Sequence, residues 1–273
     1  MERVVSRDGT MISFERTGEG PPLVLVHGGF SDHMTNWASV KPLLQADFRV
    51  TALARRGRGE TDRTDGHSLA DEAADVAAVI EAEETPVLLL GHSYGALCAL
   101  DAAALVPDRI AKLVLYEPPW PNALSDELVT RMEGLGSRRE WDALVEVFLI
   151  DGLQVPPDDV AALRRSAEWS MWTDDAEASL GDMRALVRHT VVPERYRTLT
   201  MPALLLAGTE SPRDLYLTDA LLANLPNARA VDLDGQAHEG MTTAPDQFVD
   251  AIAPFLLAGE GGGHLAELQR RSM

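Results

Sequence analysis

Short apolar runs alternate along the chain with longer alanine-rich stretches whose hydrophobic positions recur at helical spacing. This is the pattern of parallel strands joined by crossover helices. Two strand-like runs come first, at 3–5 and 11–16, flanking the hairpin signal Asp8-Gly9. The run at 22–26 (PLVLV) is apolar without alternation, as a strand buried on both faces requires. Runs at 49–54 (RVTALA), 87–90 (VLLL), 110–116 (IAKLVLY), 203–207 (ALLLA) and 229–233 (RAVDL) continue the series. The intervening pattern predicts a helix from the N-cap Ser68 through Glu81, with Glu72 placed to support the cap. It predicts a second over 94–106, stopped by Pro107, and two more near 215–225 and 244–257.

Between Tyr116 and Ala203 the rhythm breaks. This stretch carries no strand signal and reads as helices at 125–132, 139–150, 158–171 and 174–187, together with most of the large aromatics: Trp120, Trp141, Phe148, Trp169 and Trp172. The expected organisation is an α/β core made of 1–118 and 199–258, a helical insertion at 119–198, and a flexible tail at 259–273 that opens with Gly-Glu-Gly-Gly-Gly. No internal repeat is present.

Composition narrows the class. At 273 residues, the chain suits one large domain or a core with an inserted lid. Its 45% hydrophobic and 25% charged residues exclude a disordered chain. The single cysteine, Cys98, can form no internal disulfide and offers no clustered partner for a zinc site. No apolar run reaches the roughly 18 residues of a membrane span. The start of the chain lacks the apolar core of a signal peptide, so a cytoplasmic protein is expected. Forty-three acidic against 24 basic residues give a formal charge of −19, which repels nucleic acid and anionic membranes. Of the basic residues only Lys41 and Lys112 are lysines; the one cluster, Arg55-Arg56-Gly57-Arg58, reads as a loop of snorkelled or paired arginines.

The chemistry gathers at Gly91-His92-Ser93-Tyr94-Gly95, where a buried strand gives way to an alanine-rich helix. A G-x-S-x-G at a strand–turn–helix junction forces a turn sharp enough to expose a serine hydroxyl. The Tyr94 N–H, at the helix start, can donate to a developing oxyanion. A serine needs a base. Of seven histidines, His27 and His92 are explained structurally, and His33, His67, His189 and His264 fall in predicted loops, insertion or tail. His238, after the last strand in Asp234-Gly235-Gln236-Ala237-His238, is the candidate base.

With His27-Gly28-Gly29, Gly91–Gly95 and Asp234–His238 in that order, the chain resembles the α/β-hydrolase fold superfamily over nearly its whole length. The resemblance implies a mostly parallel eight-stranded sheet flanked by helices, with a helical cap inserted after the sixth strand. It also implies an oxyanion hole from the Tyr94 N–H and a second N–H in the His27–Gly29 turn, assigned to Gly29. The family usually places its acid in a G-x-x-D after the seventh strand. Here the segment is Gly208-Thr209-Glu210-Ser211, with serine in the aspartate slot. Glu117, after the sixth strand in Tyr116-Glu117-Pro118-Pro119, occupies a site that certain haloalkane dehalogenases and zearalenone-type lactonases use for the acid. It is the favoured candidate, with Glu210 and Asp214 as alternatives.

These roles imply hydrolysis of a carboxylic ester or lactone of a small to medium apolar molecule through an acyl-enzyme, with no cofactor and no metal. Other chemistry on the same residues (C–C bond hydrolysis, acyl transfer, perhydrolysis or cofactor-independent oxygenation) is the alternative. A non-catalytic ligand receptor stands behind it. Trp120, Trp169 and Trp172 are the candidate substrate contacts, and a monomer or homodimer is expected.

Overall fold

The computed structural model describes residues 1–63 and 66–259. Eight strands form one sheet: β1 (Glu2–Val5), β2 (Met11–Thr17), β3 (Pro22–Val26), β4 (Arg49–Leu53), β5 (Val87–His92), β6 (Ile110–Tyr116), β7 (Ala203–Gly208) and β8 (Ala228–Leu233). Their order across the sheet is β1-β2-β4-β3-β5-β6-β7-β8. β2 runs antiparallel to both its neighbours, and every other pairing is parallel. The chain winds outward in opposite directions from β3 and β5, so their carboxyl ends open the crevice where such sheets bind ligands.

The apolar runs explain the layering. On β3, Val24 and Val26 pack to one face and Leu23 and Leu25 to the other, so a continuous run feeds two cores. The first core takes α2 (Leu69–Glu81) and α3 (Tyr94–Leu105); the second takes Trp37, α1 (Lys41–Leu44) and the closing helix α11 (Pro245–Leu257). The first core also runs on without a break into the helices between β6 and β7, through Leu128, Met132, Leu144 and Phe148.

Those inserted helices are α4 (Asp126–Ser137), α5 (Trp141–Val147) continuing into a π-helical turn at Phe148–Gly152, α6 (Pro157–Leu163), α7 (Trp169–Asp174) and α8 (Ala176–Arg188). The single helix expected over 158–171 is two. At the break Ser166 turns its hydroxyl onto the Leu163 carbonyl and accepts the Glu168 N–H, offering the backbone a local alternative to the helix. After β7 comes α9 (Thr218–Asn224), and the short α10 (Gly240–Thr243) leads into α11.

Ser68 caps α2 as expected, but its partner is Asp71, whose carboxylate accepts the Ser68 N–H at 2.8 Å while the Ser68 hydroxyl accepts the Asp71 N–H. Glu72 is buried and engaged elsewhere. No helix among the described residues is long and apolar enough to cross a membrane. The expected flexible tail lies, beyond Gly259, outside the described residues.

Candidate active site

Ser93 sits at the turn between β5 and α3 with φ 54° and ψ −127°, a left-handed conformation unusual for a side-chain-bearing residue. The turn is possible because its flanks are glycine. A Cβ on Gly91 would lie 2.6 Å from the Ala96 Cα, and one on Gly95 would strike the His27 carbonyl. Tyr94 is the first residue of α3, so its N–H has no carbonyl one turn back within the helix. Across the crevice, Gly29 follows β3. Among the described residues neither the Gly29 nor the Tyr94 N–H meets an acceptor, whereas the next N–H, that of Phe30, donates to Ser179 Oγ on α8 at 2.7 Å.

His238 follows β8, on a loop held from several sides. His92 Nε2 donates to the His238 carbonyl at 3.0 Å; the Tyr116 hydroxyl donates to the Ala237 carbonyl and accepts the Gly240 N–H. The Tyr216 ring stacks on the imidazole at 5.0 Å and 18°. His238 Nδ1 lies 2.6 Å from Glu117 Oε2. A carboxylate only accepts, so Nδ1 carries the proton and Nε2 is left as the basic atom. Burial alone would lower the imidazole pKa, but the hydrogen bond and charge of Glu117 outweigh it and raise it above its ordinary value. His92 is pushed far the other way, first by burial and then by His238, so it stays neutral.

Glu117 is fully buried at the end of β6, also at positive φ (46°). Its other carboxylate oxygen accepts the Gly208 N–H at 2.7 Å, and the following strap is pinned where Leu217 N–H donates to the Pro118 carbonyl and Trp120 N–H to Leu215. The alternatives do not reach the imidazole through any hydrogen bond. Glu210 is exposed beside Thr209, and Asp214 is exposed ahead of α9. Ser211, in the slot the family fills with aspartate, is buried, and its hydroxyl has no partner among the described residues.

Ser93, Tyr94, Gly29 and His238 open onto one narrow cavity of about 40 Å³. Its remaining wall is mostly apolar, including Phe148, Leu153, Trp172, Met183 and Leu215. Of the three tryptophans expected at the substrate, Trp172 alone lines it. Trp120 borders a separate groove with His189 on the far side of Leu124. Trp169 is buried with its indole N–H donating to Asp142 at 2.7 Å, so it packs α7 against α5. Neither of those two lines the cavity: a strap anchored to Leu215 carries Trp120 away from it, and Asp142 holds Trp169 among the inserted helices.

Beneath Gly29 lies a feature that the sequence shows only in part. Arg55 donates from Nε to the His27 carbonyl (2.9 Å) and from Nη2 to Gly28 (2.8 Å), while also binding Glu72 and Asp182 at 2.7 Å each. Arg58 adds bonds to Asp182 and Ser179. The arginines are paired rather than snorkelled; the partner Asp182 stands 127 residues away on α8, and nothing local marks it. His67 joins the same carboxylates, and these bonds overcome the effect of burial to push its pKa up to about 10. His67, Glu72 and Asp182 bring ligand atoms within 4.8 Å of one another, but two guanidinium groups already take the carboxylates and oppose a cation.

The profile of the Alpha/beta hydrolase family matches residues 23–251. A pimeloyl-[acyl-carrier protein] methyl ester esterase from Methylococcus capsulatus is 34% identical over 134 residues, 46% of this chain and about half (51%) of that protein. One from Edwardsiella ictaluri is 30% identical over 85% of this chain and 92% of its own. Among solved structures, an alpha/beta hydrolase from Sphaerobacter thermophilus superposes with TM-score 0.80 at 34% identity, covering 93% of this chain and 98% of that one. An enol-lactonase from Burkholderia xenovorans has TM-score 0.78 at 21% identity over 94% and 100%, a likeness of fold.

Proposed function

The chain belongs to the alpha/beta hydrolase family, and on that premise we propose that it hydrolyses a carboxylic ester or lactone of a small to medium apolar molecule through an acyl-enzyme. The observation that carries this reading is the 2.6 Å hydrogen bond from His238 to the buried Glu117, made by a histidine that shares its cavity with Ser93. His238 Nε2 takes the proton of Ser93 as the hydroxyl attacks the carbonyl. The Gly29 and Tyr94 N–H groups hold the oxyanion, and Glu117 balances the imidazolium. His238 then returns the proton to the leaving alcohol and deprotonates the water that clears the acyl group. The inserted helices serve as a cap whose Phe148, Trp172 and Met183 exclude water and favour an apolar acyl or alcohol group. The esterase relatives support ester cleavage as the reaction.

An alkyl fluorophosphonate should attach to Ser93, read as a mass shift on its peptide, and a short-chain chromogenic ester should be turned over. Folded protein that takes no label and cleaves no ester would remove the covalent mechanism.

A further inference from the structure

Three cavities meet at two residues. Glu239, next in sequence to His238, lines the cavity that holds Ser93 and also the two larger spaces beside it, one toward Thr35 and Met171 and one toward Gln154 and Ser211. Trp172 is the other residue shared by all three. The Glu239 backbone is fixed, since its carbonyl accepts the N–H groups of Thr242 and Thr243 at 2.8 and 2.9 Å. Its carboxyl, by contrast, makes no hydrogen bond or ion pair with any described residue. The walls of the three spaces hold no lysine or arginine among the described residues, and their other acidic groups are Asp159, Glu168 and Glu210.

A half-buried carboxyl with no cationic partner, on the wall of the cavity that holds Ser93, repels a like charge brought beside it, more strongly than an exposed one because the protein walls limit screening. We propose that Glu239 is a specificity-determining residue that selects neutral or cationic esters and rejects those carrying a carboxylate or other anion. This rests on the hydrolase reading above and names the substrate class of that same site. The relatives named for acyl-carrier substrates do not set this preference; it follows from the cavity walls of this chain.

Glu239 also gives the selection a pH signature. Burial, opposed by His238 and reinforced by Glu117, pushes its pKa up to about 7. The other titratable groups around it are His92 at the elbow, Tyr116 at the end of β6 and Tyr216 ahead of α9. Burial raises both tyrosines and lowers His92, so all three stay neutral near pH 7. Below pH 7 Glu239 is protonated and rejects anions weakly; above it the carboxylate rejects them fully. His238 titrates too, above its ordinary 6.5, but two esters that use the same base share that dependence, and it cancels in the ratio of their kcat/KM values.

The test compares 4-nitrophenyl hexanoate with the 4-nitrophenyl half-ester of adipic acid, the same chain ended by a carboxylate. A second pair carries the charge on the alcohol. The neutral member should be preferred by about tenfold or more near pH 8.5, falling to about threefold or less near pH 5.5. E239Q should hold the lower ratio at both pH values, E239D should keep the dependence, and E168Q, in an outer cavity alone, should leave the ratio within about twofold. A ratio that is flat with pH in the unmodified protein overturns the proposal even if E239Q fails to fold. So does an E239Q ratio equal to that of the unmodified protein. Fluorophosphonate labelling of Ser93 runs alongside. Labelling with an indifferent ratio refutes the role of Glu239 alone, whereas no labelling and no turnover of any ester refutes the hydrolase reading and this one with it.

Discussion

Two buried charge assemblies lie on either side of the Gly28–Gly29 turn, built from the same kinds of groups. Under the turn, Arg55 and Arg58 meet Glu72, Asp182 and His67, and the carbonyls of His27 and Gly28 take two of the remaining guanidinium bonds. Above it, Glu117 meets His238 and the Gly208 N–H. In the first assembly donors and acceptors converge from the turns after β3 and β4, from α2 with the residues ahead of it, and from α8, and the Arg55 guanidinium over the Tyr94 ring at 4.6 Å closes the remaining side. In the second, the imidazole spends one nitrogen on the carboxylate and leaves the other uncommitted. The first is braced and chemically silent. The second is equally braced on its carboxylate side but keeps one basic atom free, and that difference separates a structural latch from a site able to move a proton.

The sharpest way to break this contrast is to remove the proposed reactive side. Ser93→Ala or His238→Ala should each lower kcat by about 10⁴ to 10⁶, and the double variant no further, because the groups act as a unit. Thermal unfolding should change little in the serine variant. Near-normal turnover by Ser93→Ala would end the comparison. Glu117→Gln comes next, with a loss of about 10⁴ in kcat, since an amide no longer enforces the imidazole tautomer or balances its charge. The same variant sharpens the pH argument. Because His238 is raised above its ordinary 6.5, kcat/KM should climb with pH through a value above that, and Glu117→Gln should move the climb to lower pH.

On the latch side the effect should appear as stability. Asp182→Asn leaves two buried guanidinium groups short of charge and should cost about 3–5 kcal/mol in urea unfolding. A loss confined to kcat would mean the latch serves chemistry after all. His67 gives a gentler probe. Its folded pKa is raised, so its contribution is complete below pH 6.5 and disappears as pH rises toward about 10. Tm should fall across that window, and His67→Gln should flatten the fall. The smallest effect belongs to Glu210→Gln, whose exposed carboxylate should change kcat by less than about twofold.

How much of this was legible follows from the range of each interaction. Apolar runs such as PLVLV and VLLL, and the glycines about Ser93, predict strands and a turn because the forces involved act within a few residues. The same holds for the Ser68 cap, although the choice between Asp71 and Glu72 as its partner depended on Arg55 drawing Glu72 into the core. The break at Ser166 was missed because helical spacing continues across it and a single side-chain bond decides it.

The sequence by itself determined the order of strands and helices, the insertion between β6 and β7, and the short list of residues with suitable chemistry. Its list of three acids was open, as was its list of three tryptophans. Tertiary structure brought one acid to His238 and one of the tryptophans to the cavity. Glu117 meets His238 across 121 residues because β6 lies beside β5 and β7 in the sheet. Trp172 reaches the cavity while Trp120 and Trp169 do not, because anchors at Leu215 and Asp142 fix those two elsewhere. The pairing of Arg55 with Asp182 and the open carboxyl of Glu239 belong to the same class. A chain specifies which groups it carries and how its backbone prefers to turn; which group finds a partner, and which is left without one, depends on elements far apart in sequence packing side by side.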